Sequence, residues 1–265
     1  MKRIFFLLCL WAASFTNALA ETLPYWQDIN VVSKNREYPR TTFMSYPSAA
    51  TAELGYPAAE HWPVFEGCRY RSLNGTWKFF FVEAYQELPA DITDPTCDTH
   101  NWSDIQVPGN WEVQGFGTAI YTNHGYEFKP RNPRPPTLPE ANPVGVYRTE
   151  FEIPADWAGQ TIFLNLDGAK SGVYVYLNGQ EVGYSEDSKT TAEFRIDPYL
   201  QAGKNTLVLK IFRWSTGSYL ECQDFWRISG IERDVYLWTQ PRTSIRDFEV
   251  LSTLDDSYTH GVWEL

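Results

Sequence analysis

Asn178-Gly179 sits between two short β-type runs, 173–177 and 181–184, and this dipeptide restricts the fold most. A two-residue type I′ turn needs positive φ at both positions, which Asn and Gly supply, so the segment is expected to be a tight antiparallel hairpin. The same grammar extends along the chain. Runs at 75–82, 146–153, 161–166, 192–196, 206–212 and 234–238 are rich in aromatic and branched residues, and 146–153 alternates in polarity. Tyr199-Leu200-Gln201 before Gly203 is expected to form one helical turn. Many short strands separated by turns, with no βαβ pattern and no repeat, predict an all-β antiparallel sandwich, most simply a jelly roll. Residues 108–143 hold Pro130, Pro133, Pro135, Pro136, Pro139 and Pro143 and are expected to form a rigid, largely extended loop.

The ends read differently. Lys2 and Arg3 precede an apolar run from 4 to 15, and Ala18-Leu19-Ala20 offers a small-residue cleavage pattern. The run is shorter than the roughly 20 residues that span a bilayer, so 1–20 is expected to be an export signal cut after Ala20, which places the product in the periplasm or outside the cell. Residues 21–60 are rich in Pro, Tyr and Trp without periodicity and are expected to form an extended surface arm; a disordered linker is the alternative. The sandwich itself is expected over 61–240. A second module is expected from about Pro241, with strands at 244–251 and 261–265. An immunoglobulin-like sandwich takes about seven strands and roughly 100 residues. The second module is therefore expected to be unfinished and the sequence cut short.

Charge and cysteines narrow the partners. Of 22 basic residues two lie in the leader, against 33 acidic ones, so the mature chain carries −13. Nucleic acid and anionic membranes need the opposite sign, so a neutral ligand is expected. Aromatic residues make up 16% of the chain, more than packing requires, and exposed rings commonly stack on sugars. Cys68, Cys97 and Cys222 remain after cleavage; a Cys68–Cys97 bridge is possible, and the odd count leaves at least one thiol over. The four scattered histidines and the lack of any CxxC pair argue against zinc.

The stretch 213–236 is dense in aromatics and acids, has no regular period and lies between two strand runs, which marks a functional loop or one pinned by its own tryptophans. No GxSxG, P-loop or GxGxxG occurs. Glycoside hydrolysis needs two carboxylates across a sugar, and context singles out no such pair here.

Several blocks together resemble the sugar-binding domain of family 2 glycoside hydrolases of the large β-galactosidase type. The first is Arg213-Trp214-Ser215, followed by Gly217-Ser218-Tyr219-Leu220-Glu221, Gln223-Asp224, Trp226-Arg227, Ser229-Gly230-Ile231 and Arg233-Asp234-Val235. The others are Leu73 to Phe79, Val107 to Trp111, Ile120-Tyr121-Thr122-Asn123, Asn142 to Tyr147 and Val182 to Ser185. The resemblance runs from about residue 25 to the end. It implies a parent enzyme that removes terminal non-reducing β-galactose with retention, with both catalytic glutamates on a later barrel outside this chain. The chain alone is then expected to be inactive. The resemblance further implies that Asn123 hydrogen-bonds the sugar, and that Asp224 binds galactose hydroxyls and helps hold Na⁺. It also implies Mg²⁺ held by ligands outside the chain, and a frequently homo-oligomeric full-length protein. A carboxylate accepts charge-assisted bonds from hydroxyls, and hard cations prefer oxygen.

Other roles stay open. Asn123 could be an Asx-turn residue and Asp224 an ion-pair partner of Arg227 or Arg233. Glu221 is expected to hold its loop, Trp214 and Trp226 to anchor it, and Cys222 to stand where the family commonly has an acid. A stand-alone galactoside-binding module is the alternative function, and a truncation product of a split gene is a third reading.

Overall fold

The computed structural model describes residues 23–54, 68–129 and 131–265, so the export-signal expectation for 1–20 lies outside the described residues. The strands in chain order are β1 (Ser33–Lys34), β2 (Tyr70–Ser72), β3 (Gly75–Val82), β4 (Ser103–Val107), β5 (Gly109–Asn110), β6 (Ile120–Thr122), β7 (Val144–Glu152), β8 (Thr161–Leu166), β9 (Ala169–Lys170), β10 (Gly172–Leu177), β11 (Gln180–Ser185), β12 (Ala192–Arg195), β13 (Lys204–Phe212), β14 (Phe225–Arg227), β15 (Gly230–Ile231), β16 (Val235–Gln240), β17 (Leu251–Leu254) and β18 (Gly261–Glu264). Seven form one sheet in the order β1-β11-β10-β13-β7-β3-β4, and four form a second, β12-β8-β16-β2, all antiparallel. The expectation of an all-β sandwich holds.

Period-two alternation builds the core. Leu207, Leu209 and Ile211 of β13, Val173 and Val175 of β10 and Trp77 and Phe79 of β3 turn inward. There they meet Leu164 and Leu166 of β8, Phe194 of β12 and Val235 and Leu237 of β16. The intervening residues Val208 and Phe212, with Val144, Val146 and Tyr174, form a second apolar layer on the outer face, covered by Trp26, Ile92 and Trp102. Strands buried on both faces explain why 144–147 and 205–209 read as continuous runs rather than clean alternations.

Residues 23–46 wrap this frame. Trp26 stacks on Phe212 at 5.0 Å, β1 adds to the edge of the large sheet against β11, and Arg36 bridges to Phe194 of the small sheet. Arg40 then lies over Trp238 at 4.5 Å and pairs with buried Glu193 at 2.9 Å. One strip of chain thus fastens the two sheets where β11 passes to β12. A short helix, Ala49–Leu54, interrupts the otherwise extended course.

The Asn178-Gly179 hairpin forms with φ of +53° and +80° and pairs Leu177 with Gln180. Asn178 also donates to the Tyr199 carbonyl and accepts from the Thr206 amide, both at 2.9 Å, so this turn residue doubles as a brace. Two details differ from expectation, and a third decides a pairing the sequence left open. The helical turn covers Asp197–Tyr199, two residues early, because Pro198 presets its φ. The strand expected over 244–251 begins only at Leu251. Over 246–248 the polar groups bond the arm instead: Arg246 pairs with Glu37 and Glu193, and Asp247 accepts from the Thr41 amide. Finally, Cys97 is a free thiol, so the Cys68–Cys97 bridge is not formed.

Gly230 shows why Ser229-Gly230-Ile231 carries a glycine. Its φ is +108°, and a Cβ there would sit 2.5 Å from the buried Tyr147 hydroxyl. Gly230→Ala should therefore cost about 2–4 kcal/mol, read as a lower urea midpoint at unchanged m.

Glu186 is the buried post that holds the turn Thr216–Tyr219. Its carboxylate accepts from Tyr184 Oη at 2.7 Å, Thr216 Oγ1 at 2.9 Å and the Gly217 amide at 2.5 Å. Burial nevertheless dominates and raises its pKa above the ordinary 4.5. The folded state then binds the Glu186 proton more tightly than the unfolded chain does. The contribution is therefore most favourable below pH 4.5 and is lost as pH rises through the folded pKa. In urea melts between pH 4.5 and 7.5, the stability of Glu186→Gln relative to wild type should rise with pH.

Candidate sugar-binding face

β6 and β14 form a separate two-stranded ribbon with Thr122 opposite Phe225, Tyr121 opposite Trp226 and Ile120 opposite Arg227. Opposed residues share a face and alternate residues return to it. Tyr121 and Trp226 therefore lie together on the outer face, 55% and 54% exposed, with ring centroids 5.7 Å apart. One residue past the ladder on each strand lie Asn123, after Thr122, and Asp224, before Phe225, and both are exposed. Two residues separated by a hundred positions in sequence are thus brought to one end of one ribbon. The Tyr121 hydroxyl donates to Asp224 Oδ1 at 2.7 Å, and this bond to a carboxylate raises the phenol pKa. Asp224 Oδ2 has no hydrogen bond among the described residues.

The inner face of the ribbon is cationic. Arg227, 2% exposed, approaches Glu127 at 3.4 Å and donates to the Gly125 carbonyl, while Arg233 donates to the Lys189 carbonyl. Neither arginine pairs with Asp224, whose partner is Tyr121. Around the Phe225 ring stand the Lys170 ammonium at 4.8 Å, the Arg227 guanidinium at 5.2 Å and the Lys189 ammonium at 5.6 Å. Lys170 is 6% exposed, its Nζ lacks a hydrogen-bond partner, and burial lowers its pKa. Three basic groups around one ring fix Phe225, and with it the backbone carrying Asp224.

The rest of the 213–236 loop is held by posts. Glu221 accepts from the Ser188 amide at 2.7 Å and from its hydroxyl at 2.6 Å, which is the loop-holding role expected of it. Trp214 donates to Glu127 at 2.9 Å and packs on Phe128, an anchor as expected. Trp226 is not an anchor: its ring is half exposed, because strand alternation opposite Tyr121 turns it outward. Cys222 donates its thiol to the Ser218 carbonyl, and burial raises the thiol pKa. Sequence reasoning missed Glu127, Glu186 and Glu112. The last is buried, accepts from the Ser229 amide at 2.7 Å and lies 3.8 Å from Arg213. Nothing in their local context marks them, since their partners come from distant loops.

Among the described residues no cluster of three or more His, Cys, Asp or Glu could hold a metal. Asp224 alone offers a hard oxygen ligand that fits Na⁺ only when other oxygens complete the shell.

Residues 70–241 match the family described as glycosyl hydrolases family 2, sugar binding domain. The chain is 40% identical over 236 residues to a β-galactosidase of Vibrio cholerae, covering 89% of this chain and 22% of that protein. It is 44% identical over 194 residues to a β-galactosidase of Priestia megaterium, covering 72% and 19%. The chain thus spans about a fifth of the length of these curated relatives. Among solved structures, a β-glucuronidase of an uncultured Clostridium sp. is similar at 21% identity and TM-score 0.52, over 71% of this chain and 31% of that one. A β-glycosidase of Bacteroides vulgatus is similar at 23% identity and TM-score 0.52, over 71% and 22%. Both likenesses concern the fold alone. The match over the whole sandwich makes this chain a member of glycoside hydrolase family 2, as its N-terminal sugar-binding part.

Proposed function

We propose that the ribbon face is this domain's contribution to the galactose pocket of a retaining β-galactosidase. The observation that carries the reading is the exposed Tyr121–Asp224 pair, at the ribbon end that also carries Asn123. A galactose hydroxyl donating to Asp224 Oδ2 would gain a charge-assisted bond, the Asn123 amide would both donate and accept, and the Trp226 ring would offer a flat apolar surface. Tyr121 is a positioning residue that holds the carboxylate in one orientation. Asp224 would also supply one oxygen to Na⁺, whose bound charge would help fix a sugar hydroxyl. Retaining cleavage takes two carboxylates roughly 5–5.5 Å apart. The acids Glu112, Glu186 and Glu221 each hold a loop, and we assign the cleavage step and the ligands for Mg²⁺ to a part of the enzyme beyond these residues.

Purified 265-residue chain should not hydrolyse a chromogenic β-galactoside at enzyme-like rates; turnover at such rates would sink the reading. The roles of the face are tested in a chimera that joins this sequence to the remainder of the V. cholerae relative. There Asp224→Ala should lower kcat/KM by about 10²–10³-fold and Asn123→Ala by about tenfold or more. Tyr121→Phe, which removes one hydrogen bond, should cost about tenfold. Exchanging Na⁺ for a large organic cation should raise KM for the unsubstituted chimera and leave Asp224→Ala unmoved. Millimolar or tighter galactose binding by the isolated chain, lost in Asp224→Ala, would instead favour a stand-alone binding module.

A further inference from the structure

The outer face of the large sheet carries a groove that shares no residue with the ribbon. It encloses about 600 Å³ and is lined by Tyr25, Tyr85, Tyr174, Tyr176, Glu181 and Lys210 among others. Its walls are packed aromatic rings. Tyr25 stacks on Tyr174 at 5.5 Å with the rings 10° apart, and Tyr174 packs on Phe212 at 5.6 Å. At its base the Lys210 ammonium lies 4.9 Å from the Tyr174 ring centre, 5.4 Å from Tyr176 and 5.9 Å from Phe212. Lys210 has no hydrogen-bond or ion-pair partner among the described residues, and burial lowers its pKa. At the rim, Lys34 donates to Glu181 Oε1 at 2.8 Å and to the Tyr25 hydroxyl at 2.6 Å.

Lys210 occupies an outward position of β13 between buried Val208 and Phe212, where an apolar residue would complete the layer. An ammonium placed there instead leaves its N–H donors to whatever fills the groove. The volume lies within the roughly 300–1,000 Å³ of small-molecule sites, and aromatic walls with a few fixed polar groups are their usual lining. A lipid would strip water from Lys210, Lys34 and Glu181 without replacing their hydrogen bonds. A phosphate would meet the Glu181 carboxylate beside the one unpaired cation. A pyranose answers both demands: its C–H face matches the tyrosine rings, and its oxygen edge reaches ammonium and carboxylate together.

We infer that this groove binds a pyranose sugar, stacked on the tyrosine walls and presenting an acceptor oxygen to Lys210. The acceptor is a hydroxyl of a neutral sugar, because a uronic acid carboxylate would meet Glu181 as a phosphate would. The inference goes beyond the proposed function and is tested apart from it by using Asp224→Ala as the host chain, in which the ribbon face is disabled. Saturation-transfer NMR should show transfer to the ring protons of lactose and little to methyl β-glucuronide, whose carboxylate would face Glu181. Adding Lys210→Met or Tyr85→Ala should each weaken that transfer at least fivefold in chains that remain folded by circular dichroism. Tyr85 is an independent check, because it lies outside the sheet, should the strand variant fail to fold. Absence of transfer to lactose, a response from methyl β-glucuronide equal to or above that of lactose, or transfer unaltered by a folded groove variant, overturns the inference.

Discussion

The large sheet is apolar on both faces, and the rest of the molecule is arranged to cover it. Along β13 the residues facing the small sheet are Leu207, Leu209 and Ile211, while Val208 and Phe212 face the opposite way. At about 25 cal/mol per Å², neither set can be left in water. The small sheet takes one face. The other is closed by Trp26 and by the loop residues Ile92 and Trp102, which makes the stretch before the sandwich a structural part of it.

That covering also explains how polar groups come to lie deep in the structure. Chain that crosses from one sheet to the other must satisfy its backbone on the way, and buried acids do this work. Glu186 receives the turn at 216–219, Glu112 the Ser229 amide and Glu193 two arginines from opposite ends of the chain. Each such carboxylate costs desolvation, offset at Glu186 and Glu193 by several converging donors and at Glu112 by the Ser229 amide, with Arg213 3.8 Å away. With these posts fixed, the β6–β14 ribbon needs only its inner face anchored, by Arg227 and by cations around Phe225, and its outer face remains for a ligand.

The same logic separates two kinds of aromatic residue. Trp26, Trp77, Trp111 and Trp238 are buried and serve packing. Tyr121 and Trp226 are held open by strand alternation, and Tyr85 and Tyr176 are half covered along the groove. Composition counts all of them alike, and only their register and surroundings separate those that pack from those free to meet a sugar.

The strand content, the Asn178-Gly179 hairpin and the loop-holding role of Glu221 could all be read from the chain, because side-chain period, turn stereochemistry and local motif are properties of neighbouring residues. The sequence also marked Asn123 and Asp224, but through resemblance rather than chemistry. Their placement at one ribbon end was decided by the pairing of 120–122 with 225–227, a contact between segments a hundred residues apart. The same holds for the exposure of Trp226, the posts at Glu112, Glu127 and Glu186, and the unpaired ammonium of Lys210. Local sequence sets which conformations a segment can adopt, whereas burial and partners are fixed only when distant segments pack against one another.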